Sequence, residues 1–199
     1  WRNTMVAKSI LKLGFIAEGE TEKIILEKTN FFKLLKSKKI EFVSDVIDAG
    51  GCCNLLPHNL EAFVLALQKK GATKIIILTD LDTDKCITLT KERIIAEQQN
   101  FNHVISVSVK EIESWLLADT EAMRSYMCDA DFYYETPELV DDPYEEIKRL
   151  KISGCGRGTG TKLAMANQLI ENHGFSIENA ASHTNCNSAK YFLKCVLGN

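Results

Sequence analysis

Residues 11–17 and 74–78 are short apolar runs, and each leads straight into carboxylates. Glu18-Gly19-Glu20-Thr21-Glu22 follows the first and Asp80-Leu81-Asp82-Thr83-Asp84 the second. Runs this short, ended by a glycine or by acids, read as buried strands. Between them come a helical stretch at 20–38, a second strand at 41–47, the turn signal Gly50-Gly51 and a helix at 54–70. Leu56, Leu60, Phe63, Val64 and Leu67 give that last helix one apolar face, and Gly71 ends it. A helix at 88–99, a fourth strand at 103–109 and a helix at 111–119 around Trp115 complete the series. Alternation of this kind implies an α/β, Rossmann-like fold: a parallel sheet of about four strands with helices on both faces. A strand order of 2-1-3-4 makes the first and third strands neighbours at a switch point, where ligands bind beyond the carboxyl ends of the strands. That order would bring Glu18 to Asp80 and Asp82.

Beyond residue 120 the pattern is helical and irregular. Helices are expected at 144–150, 162–172 and 188–197, the last burying Tyr191, Phe192, Cys195 and Val196. A flexible glycine-rich loop is expected at 154–160. Met5 reads as a start, so the expected organisation is an α/β domain over 5–120 and a helical extension over 121–199 packed on the same domain.

The chain of 199 residues is 45% hydrophobic and 26% charged, as in ordinary globular proteins. No stretch approaches the roughly 20 apolar residues of a membrane span, so no membrane partner is expected. No signal-peptide pattern is present. The seven cysteines are odd in number, irregularly spaced and without a C-x-x-C, which speaks for a reducing cytoplasm rather than a disulfide framework. His183-x-x-Cys186 lacks the second half that structural zinc requires. Charge is segregated: residues 111–147 hold twelve acids and one arginine, whereas residues 148–199 hold seven basic residues and two glutamates. A general polyanion binder is therefore not expected, although the basic tail could contact phosphates.

The acids can be weighed singly. Glu18 stands at a strand end, where packing would accept an apolar residue, and Gly19 allows a tight turn. Glu22 is either a ligand or a helix-start acid favoured by the helix dipole. Asp80 and Asp82 alternate, and in extended geometry alternate side chains share a face, so both could meet one ion. Clustered carboxylates repel one another without a cation, and hard oxygen donors suit Mg²⁺ or Mn²⁺. The expected metal set is Glu18, Glu22, Asp80 and Asp82. Asp84, Glu111 and Glu113 are possible additions, each with a helix-cap or helix-start alternative. Trp115 reads as core rather than as a base-stacking platform. Gly156-Arg157-Gly158-Thr159-Gly160-Thr161-Lys162 does not fit the phosphate-loop pattern, so no nucleotide triphosphate site is expected.

A-E-G-E-T-E after a first strand and I-I-L-T-D-L-D after a third resemble a Toprim domain, with Glu18, Asp80 and Asp82 on its Glu and D-x-D positions. Glu22 falls where nucleases of the overcoming-lysogenization-defect type carry a further acid. The block from Val109 to Asp119 is similar to one in small stand-alone Toprim-like proteins, often encoded beside an ATPase in bacterial defence loci. The resemblance spans about residues 10–120. It implies a metal-dependent nuclease using Mg²⁺ or Mn²⁺ on nucleic acid, DNA in preference to RNA, with an ATPase partner and a role in antiviral defence. Glu18 would be ligand or general base. Lys162 would be a catalytic cation, and Arg157 with Lys162 would contact nucleic acid.

Two other readings remain at this point. One is a non-catalytic interaction module for an ATPase. The other is a haloacid-dehalogenase-like phosphatase, although that family places D-x-D after its first strand and has Thr or Val where this chain has Asp84. A topoisomerase or primase is not expected, since neither a large domain with a catalytic tyrosine nor sufficient chain accompanies the motifs.

Overall fold

A computed structural model describes residues 10–95 and 101–198. Strands β1 (Lys12–Ala17), β2 (Glu41–Phe42), β3 (Ile47–Asp48), β4 (Lys74–Asp80) and β5 (His103–Ser108) form one five-stranded parallel sheet. Its order is β2-β1-β4-β5, with β3 also paired to β1. Since β2 and β3 together occupy the place of one second strand, this is the 2-1-3-4 order expected of an α/β, Rossmann-like sheet. The expected strand at 41–47 is broken at its middle. Only Lys12–Glu41, Leu13–Phe42, Ile16–Ile47 and Ala17–Asp48 are in register, and the Val46 amide donates instead to the Glu27 carboxylate at 2.8 Å.

Alternation along the strands sorts side chains into two cores. Ile16, Ile75, Ile77, Ile105 and Val107 face α3 (Pro57–Lys69) and α4 (Ile87–Ile94). Leu13, Phe15, Ala17, Ile76 and Leu78 face the opposite way. They pack with α1 (Glu20–Lys28), α2 (Phe31–Ser37), α5 (Glu113–Ala118), α6 (Thr120–Met127), α7 (Pro143–Cys155), α8 (Lys162–His173), α9 (Ile177–Ser182) and α10 (Asn187–Leu197). The helices after residue 120 thus share one continuous core with the sheet. At its centre α5 is buried along its whole length. Trp115 is fully buried there, its indole N–H donating to Ser188 Oγ at 2.7 Å and its ring packed on Phe192.

Several elements differ from expectation for local reasons. The helix at 20–38 is two helices, because Thr29 Oγ1 caps back to the Ile25 carbonyl and accepts from the Phe31 amide. The helix at 54–70 begins as a 3-10 turn, Cys52–Leu55, and becomes α-helical at Pro57, which suits a first helical position. The helix at 88–99 starts at Ile87, and its expected end at 96–99 lies outside the described residues. Helix α7 runs on through Ser153 and Gly154 to a left-handed Gly156, which shortens the expected loop. Helices α6 and α9 were not anticipated; Asp119 and Ser176 cap them by accepting from the Ala122 and Asn179 amides. On α10, Phe192 and Val196 are buried, whereas Tyr191 is 41% exposed. Among the described residues no helix is long and apolar enough to cross a membrane.

Candidate metal centre

The switch point lies between β1 and β4, and the chain leaves both strands there through acidic turns. The Glu18 amide donates to the Leu78 carbonyl at 2.9 Å, which ties the two turns together. One oxygen of the Glu18 carboxylate, Oε2, accepts from Thr79 Oγ1 at 2.5 Å and from the Asp80 amide at 3.1 Å. Glu18 is thereby held over the end of β4. The sheet order is what makes these contacts possible, because it turns neighbours in space out of residues far apart in sequence.

Asp80 and Asp82 are not held as an extended pair. Asp80 is the last residue of β4, and its carboxyl folds inward to accept a short hydrogen bond from Ser108 Oγ. Asp82 has left the strand in a left-handed conformation, φ 48°, with its amide donating to the Lys110 carbonyl at 2.9 Å. Pairing of this turn with the end of β5 breaks the alternation. The same turn carries Asp82 back to Glu18: ligand atoms of Glu18, Asp82 and Cys52 all lie within 4.8 Å of one another. Two metal–oxygen bonds of about 2.0–2.6 Å laid end to end span a similar distance, so the two carboxylates fit a divalent cation.

Glu22 and Asp80 instead line a neighbouring cleft of about 460 Å³, together with Gly19, Glu20, Glu113 and Lys162. Glu22 is 4% exposed and Glu113 is 2% exposed. The Glu22 carboxylate accepts from the Gly19 amide at 3.1 Å, so it supports the start of α1 as well as lining the cleft. Burial raises its pKa to about 7, and the charges of Glu113 and Glu18 add to that while hydrogen bonds from its own amide and from Gly19 oppose it. Glu113 is likewise pushed up to about 7 by burial, against the pull of Lys162. Asp80 is raised well above the usual carboxylate range, first by burial and then by Glu22, with Glu113 and Glu18 adding; its hydrogen bond from Ser108 resists. The charge of Glu18 is therefore felt by Glu22 and Asp80 in the neighbouring cleft.

Lys162 enters from the start of α8 and donates to Glu111 Oε1 at 2.7 Å. Burial disfavours its ammonium, but the Glu111 hydrogen bond and the charges of Glu113, Glu111 and Asp142 outweigh that and raise its pKa. The second Glu111 oxygen is buried without a hydrogen-bond partner. Asp84 lies apart from the ligand group. It accepts from Thr90 Oγ1 at 2.9 Å and pairs with Arg93 at 3.0 Å, so it serves the start of α4. Arg157 is exposed on the loop between α7 and α8, and it is not among the residues of the cleft.

Cys52, Thr79 and Ser108 were missed in the sequence. A signal for Cys52 was present. In a 2-1-3-4 sheet, the turn after the second strand flanks the turn after the first, and Gly50-Gly51 marks that turn. The Gly51 amide donates to the Glu18 carbonyl at 2.8 Å, which seats Cys52 beside the acid.

Comparison of the chain with protein-family models, with curated proteins and with solved structures finds no match. The class defined by fold and site is thus a doubly wound α/β protein with a carboxylate cluster at its switch point.

Proposed function

We propose that this protein is a metal-dependent nuclease of Toprim type that hydrolyses phosphodiester bonds in nucleic acid, DNA in preference to RNA. The observation that carries the reading is the meeting of Glu18 with Asp82 at the switch point, beside a cleft holding Glu22, Asp80, Glu113 and one cation, Lys162. Glu18 and Asp82 would hold Mg²⁺ or Mn²⁺, and the carboxylates of the cleft could hold a second ion. When bound, such an ion acts as a Lewis acid on the phosphate and makes water a stronger nucleophile.

This chain's residues supply the rest. Thr79 and the Asp80 amide orient Glu18 and leave its other oxygen without a hydrogen bond from a described residue. Glu113 and Glu22, with pKa values raised to about 7, are poised to take or return a proton near neutrality. Lys162, part exposed at the cleft, can share its ammonium between Glu111 and a phosphate oxygen, countering charge that grows in the transition state. The resemblance to stand-alone Toprim-like proteins adds an ATPase partner and a role in antiviral defence. The seven cysteines, all free, accord with a reducing cytoplasm.

The test is cleavage of plasmid and single-stranded DNA, and of RNA, with Mg²⁺ or Mn²⁺ and with EDTA. Cleavage that EDTA abolishes, and that falls by about 10²-fold or more in Glu18→Gln and Asp82→Asn, supports the reading. Undiminished cleavage in both variants overturns it. Absence of cleavage with retained ATPase binding favours an interaction module.

A further inference from the structure

Mg²⁺ accounts for two of the three donors that meet at the end of β1, but not for the third. The Cys52 sulfur belongs to the same group of ligand atoms as Glu18 and Asp82, all within 4.8 Å of one another. The three come from different places: the turn after β1, the turn after β4 and the 3-10 turn after β3. Cys52 is fixed there by backbone, since Gly51 donates to the Glu18 carbonyl and the Asn54 amide donates to the Gly51 carbonyl at 3.0 Å. Burial and the charge of Glu18 push the Cys52 thiol up, against the pull of Arg93, which itself pairs with Asp84, so the sulfur is a thiol until a cation displaces its proton. Magnesium prefers oxygen donors, whereas Zn²⁺ and Co²⁺ accept sulfur and carboxylate together.

We propose that Cys52 is a thiolate ligand completing a Glu18–Cys52–Asp82 centre, which makes this site selective for a thiophilic divalent cation such as Zn²⁺ over Mg²⁺. The proposal rests on the metal reading of Glu18 and Asp82 but not on nuclease activity. Binding forms a metal–sulfur bond and releases the thiol proton to solvent, with no change in oxidation state. Affinity for a thiophilic ion therefore increases with pH. The neighbouring Cys53 is exposed and outside the ligand group, so it provides an internal control.

The experiment is titration of the metal-free, reduced protein with Co²⁺, followed by absorption spectroscopy. The expected result is visible ligand-field bands together with a near-ultraviolet sulfur-to-cobalt charge-transfer band. The charge-transfer band should be lost in Cys52→Ser, kept in Cys53→Ser, and removed by added Zn²⁺ but not by an equal concentration of Mg²⁺. Ligand-field bands without charge transfer, or charge transfer that survives Cys52→Ser, would overturn the thiolate ligand and leave the carboxylate site standing. No cobalt bands in any form would overturn both.

Discussion

Glu113 shows how a single side chain can be costly to the fold and still fit the chemistry. It sits at the first position of the wholly buried α5, where the helix start favours its charge but burial does not. Its pKa is raised to about 7 from an ordinary 4.5. A carboxyl that binds its proton more tightly when folded stabilises the fold fully below the unfolded value. That stabilisation is lost as pH rises through the folded value. In EDTA, the melting temperature should therefore fall between pH 4.5 and about 7, the window set by Glu113 and Glu22. Glu113→Gln should raise stability at pH 8 by roughly 3 kcal/mol and flatten the slope, read from urea melts at pH 5 and 8. An unchanged slope would count against this assignment. The sequence offered Glu113 only as a choice between helix start and ligand. Its burial depends on helices α6–α9 closing over α5, which no local pattern reveals.

At the scale of elements, the sheet was legible because its strands are uniformly apolar and stop at glycine or acids. The order 2-1-3-4 then followed from requiring Glu18 to meet Asp80 and Asp82, whereas the register was not read from the sequence. The broken second strand, the split at Thr29 and the turn that carries Asp82 were not legible, since each depends on side-chain capping or on pairing with a distant strand. Helix α3 lies close on β1 because Gly14 has no side chain. A Cβ there would stand 2.9 Å from Leu67 Cδ1 and 3.2 Å from Leu67 Cβ. Gly14→Ala should therefore cost about 1–3 kcal/mol by overpacking. In a double-mutant cycle with Leu67→Ala the two losses should sum to less than their separate values, because the smaller residue makes room. Strict additivity in denaturant melts would show that α3 does not press on β1 in this way.

For the molecule as a whole, the acidic segment 111–147 turns out to serve several ends. Glu113 lines the cleft, Glu111 holds Lys162, and Asp119 and Glu138 act inside the helical layer. Asp119 accepts from Ala122, Ser176 and Asn179, and Glu138 accepts from the amides of Asn187 and Ser188 at the start of α10. Charge segregation in the sequence thus reflects both a site and the caps of the helices that cover it. The helical layer brings Lys162 to the sheet, so the candidate site is complete only when the chain after residue 120 is docked.

Whether the turns after β1 and β4 together hold a divalent cation is decided by anomalous diffraction from a crystal soaked in Mn²⁺. A peak is expected between Glu18 and Asp82, with carboxylate oxygens at about 2.0–2.6 Å from it. An empty site at saturating Mn²⁺, with the two carboxylates turned apart, would overturn the metal reading.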